Sequence, residues 1–291
     1  MTTMNHGEYF IPEPSKWPLV GTIALGFTAV GAATSIHGGS PNLLLGIGLL
    51  MIIYLLFGWF SSVIDESMKG NYNAQVDRSF RLGMMWFIFS EVMFFAAFFG
   101  ALFYARTFSV PWLGGAGNNA MTHELLWPSF EAIWPVLTNP DNGIFTAPMK
   151  AMGPAGLPAI NTAILLASSV TLTWAHHALR ANNRKQTTIG LLVTVILGAI
   201  FLVLQAEEYM HAYRELGLTL NSGIYGSTFF MLTGFHGFHV TMGATMLTVI
   251  LIRVIKGHFS SDNHFGFAAV AWYWHLVDVV WLALFIFVYW L

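Results

Sequence analysis

The sequence predicts an all-α, polytopic membrane protein with seven transmembrane helices. Composition is the first reason. Of 291 residues, 56% are hydrophobic and only 9% are charged, against about 25% charged in soluble domains, so a water-facing surface cannot be covered. Length is the second. Seven apolar stretches reach or approach the roughly 20 residues that a bilayer-crossing helix needs; they lie near 17–36, 43–64, 80–108, 159–180, 188–213, 225–256 and 265–290. The third is charge placement. Seven crossings put the termini on opposite sides. The N-terminal side then carries Lys16, Lys69, Arg78, Arg81, Arg180, Arg184, Lys185, Arg253 and Lys256, which is nine of the twelve Lys and Arg residues. Only Arg106, Lys150 and Arg214 fall on the other side. The positive-inside rule places the N-terminus in the cytoplasm and the C-terminus outside.

Composition also excludes several chemistries. There is no cysteine, so disulfides, thiolate metal centres and cysteine nucleophiles are ruled out. A net charge of −2 gives no footprint for nucleic acid. The start, "MTTMNHGEYFIPEPSKWPL", has no basic n-region and reads as no cleaved signal. The one long connection, about 109–158, is rich in Pro, Gly and Trp. It reads as an irregular loop with short interfacial helices on the outer face, or as a docking surface for another subunit.

Each ionisable group inside a span needs a reason, because it costs at least about 2.5 kcal/mol unless paired, neutral or near water. Glu91, in "FIFSEVMFFAAFFG", has no basic neighbour in sequence. Unpaired, it is expected to hold its proton and to serve either as a neutral helix–helix hydrogen bond or as a proton-linked carboxyl. Ala96, Ala97, Gly100 and Ala101 follow at small-residue spacing, which predicts a face packed on protein. In span five, Glu208 and His211 form a Glu-x-x-His unit. A di-iron bundle needs two such units and the chain has one, so this reads as a charged helix end with Arg214 as partner. His176 and His177, followed by Arg180, Arg184 and Lys185, read as an interface cap that attracts anionic headgroups. In span seven, His275 and Asp278 are three apart and read as a self-satisfied polar pair, or as the outer shell of a metal site. In "TGFHGFHV", residues 233–240, His236 and His239 share a helix face. With His275 they supply three imidazoles for a metal; otherwise they are structural, at a tight helix contact suggested by Gly234 and Gly237.

The order of several stretches is specific: "WPLVG", "SEVMFFAAFF", "NTAILLASSVTLTWAHHAL", "LQAEEY", "GIYGSTFFMLTGFHGFHV" and "HFGFAAVAWYWHLVDVVWLALFIFVYW". Together they resemble subunit III of cytochrome-c oxidase, in a bacterial version, over nearly the whole chain. The resemblance implies a non-redox core subunit of an oxidase that oxidises cytochrome c, reduces dioxygen and pumps protons. Haem and copper are then held by the partner subunits I and II, none by this chain. Cytochrome c is met only through the complex, in a bacterial plasma membrane.

The family fold implies two N-terminal helices (residues 1–66 with the segment before them) splayed from a five-helix bundle (67–291) around a V-shaped cleft filled with phospholipid. Glu91 then corresponds to the family's carbodiimide-reactive carboxyl. Trp59, Glu66 and Ser67 match lipid-binding positions, as do Arg253, Lys256 and His258. His6 matches a proton-gathering histidine. Ser61 and Asp65 stand where the mitochondrial pattern has arginines. His236, His239, His275 and Asp278 become structural polar groups. Rival readings are the third subunit of a quinol oxidase or nitric-oxide reductase, a haem or metal enzyme using His236, His239 and His275, and a proton-coupled transporter using Glu91.

Overall fold

The computed structural model describes residues 10–11, 13–38, 40 and 42–291, most of them helical and none in a strand. The long helices are α1 (Trp17–Gly38), α2 (Leu43–Met68) and α3 (Ala74–Tyr104). The short α4 (Val110–Leu113) and α5 (Ala120–Leu126) follow, then α6 (Leu157–Arg180), α7 (Arg184–Glu215), α8 (Ile224–Ile255) and α9 (Phe265–Leu284). Seven of these are long and apolar enough to span a bilayer. The starts of α2 and α7 are set by caps. Asn42 Oδ1 accepts from the Leu45 N–H at 3.0 Å and Asn183 Oδ1 from the Gln186 N–H at 3.1 Å, satisfying donors that a helix start leaves open. Asn73 does the same for Val76 at 3.0 Å, which starts α3 six residues earlier than hydropathy predicts.

The chain divides into two compact units, residues 1–82 and 83–291. In the first, α1 and α2 form an antiparallel hairpin closed by small residues. A Cβ added at Gly48 would overlap the Thr28 backbone, and one at Gly31 would overlap Leu45. Without a hydrophobic force between helices in lipid, such close approach is what holds a pair together. Trp17 lies over Gly58, and its indole N–H donates to Ser62 Oγ at 3.2 Å. Asn42 ties the turn to α1 through the Gly31 carbonyl at 3.1 Å and the Thr34 hydroxyl.

In the second unit, α9 is the element most enclosed by protein. Trp274 and Leu284 are fully buried, and Trp281 and Val277 nearly so. A helix apolar on every side belongs in the interior. Trp274 fills the space over Gly198 of α7 and Gly243 of α8, and its indole N–H donates to Ser168 Oγ of α6 at 2.9 Å. Trp281 repeats the pattern with Thr162 Oγ1 at 2.9 Å. Thr171 and Thr194 join α6 to α7 by a 2.8 Å hydroxyl contact.

The long connection folds onto this same unit. Phe130, Val136 and Met152 are buried, the Met149 N–H donates to the Leu216 carbonyl at 2.9 Å, and the Asn139 amide donates to the Ser222 carbonyl at 3.3 Å. The Ala96, Ala97, Gly100 and Ala101 face of α3 is exposed on the single chain, and a Cβ at Gly100 would meet nothing. That face makes no helix contact within this chain. The phenylalanines 94, 95, 98 and 99, on the other side of the helix, make the contacts instead.

Replacing Gly48 by Leu inserts a side chain where Thr28 stands. Overpacking of this kind costs about 1–3 kcal/mol. We expect the variant to lower the thermal unfolding temperature in detergent, and an unchanged temperature would show that the hairpin does not depend on this approach.

Candidate functional site

The polar centre of the second unit lies where α3 meets α8. His239 Nε2 is 2.8 Å from Glu91 Oε2. Glu91 is thus not unpaired: its partner lies 148 residues along the chain. The other imidazole nitrogen identifies the proton arrangement. His239 Nδ1 is 2.6 Å from the Phe235 carbonyl oxygen, and a carbonyl only accepts, so Nδ1 carries a hydrogen. In the neutral ring Nε2 is then an acceptor, and the hydrogen in the 2.8 Å contact comes from a protonated Glu91. In the charged ring Nε2 donates to a carboxylate. Either way the pair shares one proton and is neutral as a whole, the form a low-dielectric surrounding favours.

Aromatic rings close around it. Phe95 and Phe94 lie 4.9 and 5.6 Å from the imidazole, Tyr273 stacks at 6.3 Å, and Phe235 packs on Phe94 and Phe98 at 5.1 and 4.9 Å. The Glu91 side chain remains 19% exposed, so the pair is partly screened rather than sealed.

His236 belongs to a different environment. Its ring packs on Trp281 at 5.0 Å and Phe201 at 5.7 Å, and its Nε2–H donates to the Val277 carbonyl of α9 at 3.2 Å. The two histidines therefore address α9 and α3 respectively, and both nitrogens of His239 are engaged. Their lone pairs do not converge on one centre. Among the described residues, no group of three or more His, Cys, Asp or Glu is placed to hold a metal ion. The flanking glycines are not points of tight helix contact: a Cβ at Gly237 would meet nothing, and one at Gly234 only the Tyr209 hydroxyl at 3.8 Å.

His275 and Asp278 do not satisfy each other by a hydrogen bond. His275 Nδ1 is 2.7 Å from Ser169 Oγ and 3.6 Å from Asp278 Oδ2. The expected His275–Asp278 pair is present as an ion-pair contact, and Ser169 joins it as the hydrogen-bond partner of His275. Glu208 is not a charged helix end. It is 1% exposed and accepts from the Tyr289 hydroxyl at 2.6 Å, while His211 pairs with Glu215 at 3.1 Å.

At the far end of α8, Arg253 stacks its guanidinium on the Phe259 ring at 4.3 Å, and its Nε is buried without a protein partner. Lys256 is exposed and His258 half-buried beside it. Arg184, at the start of α7, reaches the same corner, its Nη1 lying 2.8 Å from where a Cβ on Gly257 would stand. A small cleft of about 50 Å³ between Leu179, Asn182, Arg184, Val254 and Phe259 opens there. Burial, then the Arg253 and Lys256 charges, hold the His258 imidazole below its usual range.

Trp59, Glu66 and Ser67 lie on α2 in the first unit. Trp59 is exposed; Glu66 is half-buried and accepts from the Tyr72 hydroxyl at 2.8 Å. Burial and that carboxylate push the Tyr72 phenol up. His6 lies outside the described residues.

The profile of the family described as cytochrome c oxidase subunit III matches residues 7–291. The chain belongs to that family. Similar proteins carry the same description. The rabbit (Oryctolagus cuniculus) cytochrome c oxidase subunit 3 is 42% identical over 291 residues, 100% of this chain and 99% of that protein. The orangutan (Pongo abelii) protein is 43% identical over 283 residues, 97% and 96% of the two chains. The human protein is 42% identical over 291 residues.

A cytochrome c oxidase subunit III is a non-catalytic core subunit, and takes part in enzymatic turnover only within the oxidase complex. Two features of this family member escape sequence reading. His239 as the partner of Glu91 depends on the register of α3 against α8, which no spacing within either segment records. Ser169 as the partner of His275 likewise depends on α6 meeting α9. The family's "GFHGFHV" stretch does carry a signal, because a His at each end of one helical turn makes contacts with two different helices.

The pair predicts a measurable coupling. In a double-mutant cycle of Glu91→Gln and His239→Gln in lipid nanodiscs, we expect an interaction of about 1 kcal/mol in thermal stability, the scale of intramembrane hydrogen bonds. Strict additivity of the two changes would mean that the contact contributes nothing.

Proposed function

We propose that this subunit supports the oxidase from its periphery, holding phospholipid and stabilising the haem–copper subunit I, with the copper-carrying subunit II as the second core partner. Cytochrome c is met only through the assembled complex, and proton uptake by subunit I is assisted without a redox centre in this chain. The protein sits in a bacterial plasma membrane with its N-terminus on the cytoplasmic side, where nine of the twelve Lys and Arg residues fall. Anionic headgroups favour that side, at about 1 kcal/mol for each basic residue near the surface.

The observation that carries the reading is the basic corner of Arg184, Arg253, Lys256 and His258. Arg253 has a buried Nε with no protein acceptor, and a guanidinium is suited to phosphate oxygens. Trp59, Glu66 and Ser67, on α2 of the first unit, are a second set of residues that would meet lipid. Glu91 acts as the family's carbodiimide-reactive carboxyl, and His239 keeps its proton available without a net charge in hydrocarbon. His6 is the candidate for the family's proton-gathering role.

Four outcomes test this. Arg253→Ala should reduce anionic phospholipid copurified with the complex; unchanged lipid content would remove the headgroup assignment. Lipid retention should rise as pH falls below about 6.5. His258 is held neutral above its lowered range and gains a positive charge only below it, so its contribution appears on the acid side, and His258→Ala should flatten the rise. A hydrophobic carbodiimide should label Glu91 at neutral pH, because the reagent needs a protonated carboxyl. No labelling in an accessible preparation would place the shared proton on His239. Haem, iron or copper in stoichiometric amount on the isolated subunit would overturn the non-redox reading as a whole.

A further inference from the structure

One level of the bundle core holds more hydrogen-bonding atoms than the protein itself satisfies. On α6, Asn161 is fully buried, and neither its Nδ2 nor its Oδ1 has a partner. On α7, Gln205 is 5% exposed, and both its amide atoms are equally unmatched. One turn further, Glu208 gives Oε1 to the Tyr289 hydroxyl at 2.6 Å, while its Oε2 is buried and unmatched. On α8, His236 uses Nε2–H on the Val277 carbonyl, which leaves the lone pair of Nδ1 buried and unmatched.

These side chains share a depth. The Thr171–Thr194 contact and the seating of Gly190 against Ala175 fix the antiparallel register of α6 and α7. Following that register toward the loop end brings Asn161 level with Gln205. The 2.7 Å bond from the Tyr209 hydroxyl to Thr233 Oγ1 fixes α7 against α8, and the same count brings Gln205 level with His236. The Gln205 amide lies within side-chain hydrogen-bonding reach of Glu208 and Tyr289, although neither of its polar atoms has a partner of full hydrogen-bond geometry.

Direct pairing balances in number, with four amide N–H donors on Asn161 and Gln205 against acceptors on Asn161, Gln205, Glu208 and His236, but none of these atoms has a partner of hydrogen-bond geometry. Apolar packing offers them nothing, and buried polar groups in native proteins are almost always satisfied. Water supplies two donors per molecule and accepts as well, and a buried water makes about three hydrogen bonds.

We propose that Asn161, Gln205, Glu208 and His236 form an internal water-binding chamber between α6, α7 and α8. About two enclosed water molecules, at about three bonds each, would satisfy the unmatched atoms. The chamber is separate from the Glu91–His239 pair, since His236 faces Phe201 and Trp281 whereas His239 faces α3. It explains why an amide, a second amide and a carboxyl are tolerated at one level of an otherwise aromatic core. Its role is to bridge three helices by shared solvent in place of direct contact.

The test is cryo-electron microscopy of the intact oxidase at a resolution that shows ordered water. Density bridging Asn161, Gln205 and Glu208 is the expected result. A map in which these side chains pair directly, with no density between them, overturns the proposal. In the assembled Asn161→Leu, Gln205→Leu complex the density should disappear, and its persistence would show that other groups hold it. Gln205→Met, close to the native side chain in volume, gives the same reading where the double variant does not assemble: loss of the water nearest residue 205 supports the chamber, and unchanged density counts against it.

Discussion

Polar groups within the spans have no bulk water to fall back on, so each has to be placed opposite a partner supplied by another helix. That constraint organises the second unit. Apolar side chains alone do not, because lipid tails are as apolar as Leu and leave no hydrophobic force between helices. Trp274 on Ser168, Trp281 on Thr162, Thr171 on Thr194, Tyr209 on Thr233 and His239 on Glu91 each join two different helices. Sliding any one helix by a residue would strand at least one of these groups. The bulky indoles of α9, seated over Gly198 and Gly243, then fill the space that the register leaves.

The Glu91–His239 pair meets the same constraint with ionisable groups. The Phe235 carbonyl fixes which imidazole nitrogen carries hydrogen, and that choice makes the contact to Glu91 a one-proton, net-neutral unit. A carboxyl in this span is therefore compatible with hydrocarbon. The basic corner of Arg184, Arg253, Lys256 and His258 shows the opposite strategy: charges gathered at helix ends, with aromatic surface beneath the Arg253 guanidinium.

The long connection illustrates how local composition differs from local structure. Its Pro, Gly and Trp content reads as irregular, and most of it has no regular helix. Yet Phe130, Val136 and Met152 are buried, and Tyr225 accepts from the Met152 N–H at 3.1 Å. Order there comes from docking on the ends of α7 and α8, not from any propensity within the segment.

The sequence by itself determined the class, the number of spans and the family. Hydropathy over about 20 residues is a local property, and the long motifs in spans three to seven are contiguous. The helix caps Asn42, Asn73 and Asn183 carry no hydropathy signal, and the structure supplied them. Only the tertiary structure decided the partners. Glu91 reads as unpaired, Glu208 as a surface charge, and Gly237 as a contact point. Each reading changed because helix register is set by contacts between residues far apart in the chain, and a periodicity within one helix carries no information about the helix it will face.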